Sequence, residues 1–269
     1  MIDLTGKKAI VTGGGSGIGS GICQILAKVG ADVFVADLDY RLAEKIAGNL
    51  KGQGSFYSGE VDVTNQDSVS NVVERSLNLL GNIDILVNNA GIIGVGSWWE
   101  REKPNDEDWE RVHDVNVRGM VRMSNQVSPH MIRRDYGKIV NIASISGRQG
   151  SPDLPHYSSS KAAAISWTQS NALQLASFGI NVNAVCPGLL WTPMWEAIAR
   201  KRARFGGAAH GVEGLTGREV FDTTIDQWIP MKREQTPEDI GNLVSFLVSD
   251  LAKNITGQSI NVDGGRFTS

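Results

Sequence analysis

Short apolar runs at residues 9–12, 33–36, 55–61, 83–87, 138–142, 181–185 and 258–262 alternate along the chain with longer segments. The segments at 17–29, 40–50, 65–80 and 240–247 are amphipathic, with apolar residues at helical spacing. A short apolar run suits a strand covered on both faces, and a helical segment between most of the runs carries the chain back to start a parallel neighbour. The alternation predicts an α/β chain built on a parallel sheet with helices on both faces.

That arrangement is a doubly wound, Rossmann-type sheet, and a chain of 269 residues is long enough for one of them, so a single domain over 1–269 is expected. One stretch breaks the rhythm. From 187 to about 235 there are clustered glycines, Trp191, Trp195 and Trp228, and the basic run Arg200 to Arg204, with no strand candidate. Such a long irregular insertion after the sixth strand is expected to act as a substrate lid.

The 26 basic and 29 acidic residues leave a net charge of −3, which gives no reason to expect nucleic acid or a membrane surface as partner. Cys23 and Cys186 sit in apolar periodic segments, so buried thiols are expected rather than a disulfide or a metal site. The first residues pass from Met1 through Leu4 and Lys8 into a strand without a leader-like pattern, and no apolar stretch approaches the ~20 residues that span a bilayer. A cytoplasmic protein is the expectation.

The first strand runs into Thr12, Gly13, Gly14, Gly15, Ser16, Gly17, Ile18 and Gly19, and then into a helical pattern. Glycines let the backbone turn tightly against a pyrophosphate, and the N–H groups of the helix start receive its charge. Asp37 ends the second strand, where a carboxylate accepts hydrogen bonds from adenosine ribose hydroxyls and repels a 2′-phosphate. Beside it is Leu38, and no cation lies in the glycine turn; Arg41 is the one counter-candidate, read as a surface residue. NAD is therefore expected over NADP.

Tyr157 and Lys161 are four residues apart, on one face of a predicted helix, with Ser144 at the end of the fifth apolar run. An ammonium beside a phenol favours its ionised form and brings a pKa of ~10 toward a usable range. A hydroxyl at a strand end is placed to hold a substrate oxygen.

The glycine turn, Asn88-Asn89-Ala90-Gly91 after the fourth run, Ser144 with Tyr157 and Lys161, and Pro187-Gly188 after the sixth resemble the classical short-chain dehydrogenase/reductase (SDR) family, in order, over essentially the whole chain. The resemblance implies an NAD-dependent oxidoreductase that transfers a hydride between the nicotinamide and a small secondary alcohol or ketone. In that pattern Ser144 and Tyr157 bind the substrate oxygen, Tyr157 moves the proton, Lys161 also meets the nicotinamide ribose, and Asn116 holds a relay water. Asp62 and Val63 would flank the adenine, Asn89, Ala90 and Gly91 the coenzyme, and Pro187, Gly188, Leu190 and Thr192 the nicotinamide.

By the same resemblance the substrate meets Ser144, Ser146, Gln149, Leu154, His156, Trp191, Met194 and Trp195, with Trp98 and Trp99 as further contributors, although the tryptophans equally suit packing of the lid. The stretch from Cys186 to Trp195 and the insertion after it look like the acetoin reductase/butanediol and polyol dehydrogenase branch, which implies a polyol, sugar alcohol or hydroxyketone. Ile145 stands where the acetoin enzymes tend to carry Gln. The basic run either meets an anionic substrate or is a solvated helix face. Two other functions remain open: a 3-oxoacyl thioester reductase, and a non-catalytic NAD-sensing module. The family is usually tetrameric, which implies a homo-oligomer through the helices at 106–134 and 156–178 and the last strand.

Overall fold

The structure, a computed structural model, describes residues 2–206, 212 and 214–268. Every apolar run becomes a strand: β1 (Lys8–Thr12), β2 (Asp32–Asp37), β3 (Phe56–Glu60), β4 (Ile85–Asn88), β5 (Gly137–Ile142), β6 (Ile180–Pro187) and β7 (Ser259–Val262). They pair in the order β3-β2-β1-β4-β5-β6-β7, and every pairing is parallel. The order reverses between β1 and β4, where Ala9 is level with Ile85 and Val11 with Val87. Neighbouring connections leave to opposite faces at that point, which opens a crevice beyond the strand ends.

The side-chain alternation of each strand supplies both faces. On one, Val11, Val35 and Val185 pack with Ile22 and Leu26 of α1 (Gly17–Lys28) and with Ile240 and Val244 of α9 (Pro237–Leu247). On the other, Ile10, Phe34, Leu86 and Ile139 meet Val72 of α3 (Gln66–Leu80), Met123 and Val127 of α5 (Met120–Ile132) and Leu175 of α6 (Pro155–Leu175). Helix α2 (Tyr40–Asn49) starts on Asp39, whose carboxylate accepts from the Arg41 and Leu42 N–H groups. Helix α4 (Asp106–His113) begins with a reciprocal Asn105 and Asp108 cap and continues through a wider π turn, Asp114–Gly119, into α5.

The insertion departs from expectation. It contains no strand among its described residues, but it is not irregular: α7 (Pro193–Phe205) and α8 (Gly217–Trp228) fold within it. Thr192 caps α7, and Thr216 with Glu219 forms a capping box at α8. Trp195, Ile198 and Ala199 of α7 pack on Val220, Phe221 and Ile225 of α8, with Ile93, Leu154 and Leu189 from the sheet end below. The helical spacing 195, 198, 199 was present in the sequence, hidden among the glycines and the basic run. No helix among the described residues is long and apolar enough to cross a membrane.

Candidate active site

A cavity of about 920 Å³ lies beyond the strand ends at the β1/β4 reversal and runs to the α7 and α8 helices. Its floor at one end is the glycine turn. Gly13 has φ +62°, and a Cβ there would come within 2.9 Å of the Ala90 Cα. A Cβ on Gly15 would meet the Asp37 Oδ2 at 2.9 Å, and one on Gly19 would strike the Gly13 carbonyl. The turn is thus a bare backbone concavity, against which a pyrophosphate fits and a side chain does not.

Hydrogen bonds fix this turn to its neighbours. Asn89 Nδ2 donates to the carbonyls of Thr12 (3.1 Å) and Gly13 (2.8 Å), while Thr12 Oγ1 accepts from the Asn89 and Ala90 N–H groups. Asp37 Oδ2 accepts from the Gly15 N–H at 2.9 Å, and Asp37 and Leu38 both line the cavity. Arg41, exposed on α2, is not among the lining residues. Asp62 and Val63 line the same end; burial raises the Asp62 carboxyl pKa, but hydrogen bonds from Thr64 outweigh it and hold the group below the usual carboxylate range. Arg111, which donates to Thr64 Oγ1, joins this wall without having been foreseen.

Ser16, Gly17, Ile18, Asn89, Ala90, Gly91, Pro187, Gly188, Leu190 and Thr192 line the cavity as expected. Gly19 is not in the wall, and a Cβ on it would collide with the Gly13 carbonyl and the Asn89 amide that shape the turn. Asn88 is also behind, donating to Asn141 Oδ1 (2.8 Å) and Ser124 Oγ (3.1 Å) as a brace between β4, β5 and α5. Gly188 is required by space, since a Cβ there would collide with the Gln235 amide and Asp263. Thr192 both lines the cavity and caps α7 through the Trp195 N–H.

Ser144, Tyr157 and Lys161 come together at mid-cavity, all buried. Ser144 leaves β5 in extended backbone and caps the short turn Ile145–Gly147, accepting from the Ser146 N–H at 3.0 Å. This turn lies against α6 so closely that a Cβ on Gly147 would come within 2.7 Å of the Lys161 carbonyl. The electrostatics differ from the expectation that Lys161 lowers the Tyr157 pKa. Burial pushes the phenol up to about 12, and the Ser144 side chain beside it pulls weakly the other way. Burial likewise lowers the Lys161 ammonium to about 8. Lys161 Nζ lies 5.7 Å from the Tyr157 ring centroid and donates to the Ile142 carbonyl at 2.8 Å, so desolvation, not ammonium stabilisation, governs the phenol here.

Asn116 sits in the π turn behind Gly91. Its amide is fully engaged: Nδ2 donates to the Ile92 carbonyl (2.9 Å) and Ser160 Oγ (3.0 Å), and Oδ1 accepts from the Ile92 N–H (2.8 Å). The side chain therefore ties the β4 loop to α6 and is not in the cavity wall.

At the far end Ser146, Gln149, Leu154, Met194 and Trp195 line the cavity. His156 does not: it is buried, with Nε2 2.7 Å from the Ile93 carbonyl, and burial lowers its pKa. Trp191 is also outside the wall, 5.3 Å from the Phe221 ring and covered by Arg218. Trp98 is core, in the same apolar cluster as Trp195, and Trp99 packs against that cluster. Helical phase accounts for the difference: Trp195, Ile198 and Arg202 share the face of α7 turned to the cavity, and Trp191 precedes the helix. Trp228, Arg266 and Phe267 were missed because they reach the site from the end of α8 and the C-terminal segment, with no local signal in the sequence.

Comparison with known proteins places this geometry. The short chain dehydrogenase family model matches residues 7–203, and the model described as Enoyl-(Acyl carrier protein) reductase matches 207–266. The chain is 37% identical to Oxidoreductase UcpA of Escherichia coli (strain K12), over 98% of this chain and 96% of that protein. It is 38% identical to galactitol 2-dehydrogenase of Agrobacterium fabrum, over 99% of both. The crystal structure of NAD+-bound xylitol dehydrogenase superposes with a TM-score of 0.88 at 31% identity, covering 97% of this chain and 99% of that one. The chain belongs to the short-chain dehydrogenase family and is an oxidoreductase acting on CH–OH groups.

Proposed function

We propose that the protein is an NAD-dependent dehydrogenase of a small secondary alcohol or ketone, of the polyol, sugar alcohol or hydroxyketone kind, working through Ser144, Tyr157 and Lys161. The observation that carries this reading is one continuous cavity with Asp37 at the glycine-turn end and the buried Ser144 and Tyr157 hydroxyls further along it. Asp37 offers ribose hydroxyls an acceptor, its neighbour Leu38 is uncharged and Arg41 is exposed outside the wall, while Arg111 in the wall is engaged by Thr64 and the Asp62 and Asp114 carboxylates. The likeness to galactitol and xylitol dehydrogenases supports a polyol-type substrate.

The dinucleotide, when bound, supplies the acceptor or donor for a hydrogen and its electron pair. The chain supplies the rest. Ser144 orients the substrate oxygen and Tyr157 gives it a proton during reduction or takes one during oxidation. With its pKa near 12 the phenol of the ligand-free protein is the proton donor at neutral pH. Asn116 positions the loop after β4 against α6. A cytoplasmic homo-oligomer fits the same reading, with exposed Trp109 on α4 and Leu173 and Phe178 on and just after α6 as apolar surface for a second copy.

Steady-state kinetics with NAD+ and NADP+ over a panel of polyols and secondary alcohols test the reading. NAD+ should give the higher kcat/KM, Asp37→Ala should narrow the gap, and adding Leu38→Arg should favour NADP+, each by a few kcal/mol at most. A native preference for NADP+ overturns the cofactor assignment. The 35% identity to 3-oxoacyl-[acyl-carrier-protein] reductase FabG of Thermotoga maritima, over 97% of this chain and 98% of that protein, favours 3-oxoacyl thioester reduction as the second reading, and faster turnover of acetoacetyl thioester with NADPH than of any alcohol would establish it. Coenzyme binding without growth of the reduced-nicotinamide band on any substrate would point to a sensor.

A further inference from the structure

The basic run of α7 divides into residues with different fates. Arg200 pairs with Glu196 on the exposed side, Lys201 donates to the carbonyls of Arg101 and Glu102, and Arg204 is exposed. Arg202 instead follows Trp195 and Ile198 on the cavity face, at i+7 and i+4, and lines the cavity with them.

Its guanidinium is held in an aromatic setting, 5.1 Å from the Trp195 ring centroid and 4.6 Å from that of Trp228. A second arginine from the C-terminal segment, Arg266, lies 5.0 Å from the same Trp228 ring and also lines the cavity. Among the described residues, neither makes an ion pair, and the one side-chain hydrogen bond of Arg202 goes from Nη1 to Thr224 Oγ1 at 3.3 Å. Asp153 in the same wall is the carboxylate that acts on Arg202 electrostatically, from beyond ion-pair distance.

An arginine carries five N–H donors in a rigid fork suited to carboxylate, sulfonate or phosphate oxygens. Placing two partly buried guanidiniums in a pocket has a desolvation cost that neutral hydroxyl ligands offset poorly. Resting on the dehydrogenase reading above, we propose that Arg202, with Arg266 on the same Trp228 ring, forms an anion subsite at the α7/α8 end of the cavity. The preferred member of that small secondary alcohol or ketone class is then one that also bears a carboxylate, sulfonate or phosphate, over its neutral counterpart.

Kinetics with NAD+ on matched substrates test this in the native enzyme: 1,2-propanediol and glycerol as neutral members, against 3-hydroxybutyrate, 2,3-dihydroxypropane-1-sulfonate and glycerol 3-phosphate. At least one anionic member should exceed every neutral one by about 10- to 100-fold in kcat/KM, the scale of a charge-assisted contact, and the anion that wins identifies the class. Arg202→Gln should lose at least tenfold more on that substrate than on a neutral one, mainly through KM, with Arg202→Lys recovering part of the loss. Calorimetric titration of each of the three anions into the Tyr157→Phe protein should show binding of at least one, with its affinity falling in the Tyr157→Phe/Arg202→Gln double variant. Neutral alcohols turned over as well as their anionic counterparts would overturn the subsite and leave the dehydrogenase reading standing. Absence of NADH formation from every member would overturn that reading instead, and the calorimetric result would still decide the subsite.

Discussion

At the glycine-turn end the floor of the cavity is backbone with no room for side chains, and at the α7/α8 end the wall is built from helix side chains. The first is assembled from strand-end turns with no room for a side chain: a Cβ on Gly13 would strike Ala90, one on Gly19 the Gly13 carbonyl and one on Gly15 the Asp37 carboxylate, with Asn89 and Thr12 closing the hydrogen bonds. The second is assembled from Met194, Trp195, Arg202, Trp228 and Phe267, held by packing between two helices and the C-terminal segment. Backbone concavities of the first kind recognise what every substrate reaction shares, a dinucleotide. Side-chain walls of the second kind change with single substitutions and set which alcohol enters.

The junction of the two ends is the place to break this division most severely. Tyr157→Phe removes one oxygen, and turnover should fall by the ~10²–10⁴-fold typical of a lost general acid or base, while the NAD dissociation constant changes little. Near-normal turnover would take Tyr157 out of the chemistry, and lost NAD binding would show that the two ends are not separable.

Lys161 sharpens the junction through pH. Its folded pKa, about 8, lies below the value near 10.5 of an unfolded lysine, so between these the unfolded chain binds more protons and stability rises with pH. The contribution is fully present above about 10.5 and is lost as pH falls through about 8. Lys161→Met should remove this slope, a difference of at most ~3 kcal/mol in denaturation free energy between pH 7.5 and 10.5. Parallel stability curves for the two proteins would mean that the ammonium is not desolvated in the ligand-free state.

Gly19→Ala tests the rigidity of the backbone end. A methyl there is driven into the Gly13 carbonyl and the Asn89 amide, so the turn must shift, at ~1–3 kcal/mol of overpacking, with weaker NAD binding. Met194→Leu, a volume-conserving change in the opposite wall, should leave NAD affinity unaltered. Equal effects on NAD from both would erase the contrast.

The same contrast explains what was legible in the sequence. Backbone sites announce themselves because the constraint is local: Gly13, Gly17 and Gly19 in one turn, Asp37 at a strand end, Asn89 to Gly91 at another, and Tyr157 one helical turn from Lys161. The sheet was legible for a similar reason, since its buried central strands β1, β2 and β4 read as short apolar runs. The side-chain end depends on which way a helix is rotated and on which distant segments meet. That is why His156 and Trp191 were expected in the wall and lie outside it, and why Arg266 and Trp228 gave no signal. Asn116 was singled out by the family resemblance, as the holder of a relay water, and its hydrogen bonds show that its side chain also braces the loop carrying Ile92.

The smallest expected effect comes from two residues upstream of Arg202 on the same helix. Arg200 pairs with Glu196 at i,i+4 on the exposed face of α7, with both side chains about half exposed. Solvent screens such a pair, and the side-chain entropy of holding it cancels much of the gain, so Arg200→Ala should change stability by no more than ~0.5 kcal/mol. Raising salt should shrink even that, because the pair is open to counterions. Its kcat/KM on neutral and anionic alcohols should stay within about twofold of native, well below the effect argued for Arg202. If Arg200→Ala instead weakened the anionic substrates as much as Arg202→Gln does, the preference would come from the summed charge of α7 and not from one guanidinium facing the cavity. A difference between the two variants that persists at high salt would place the preference inside the wall.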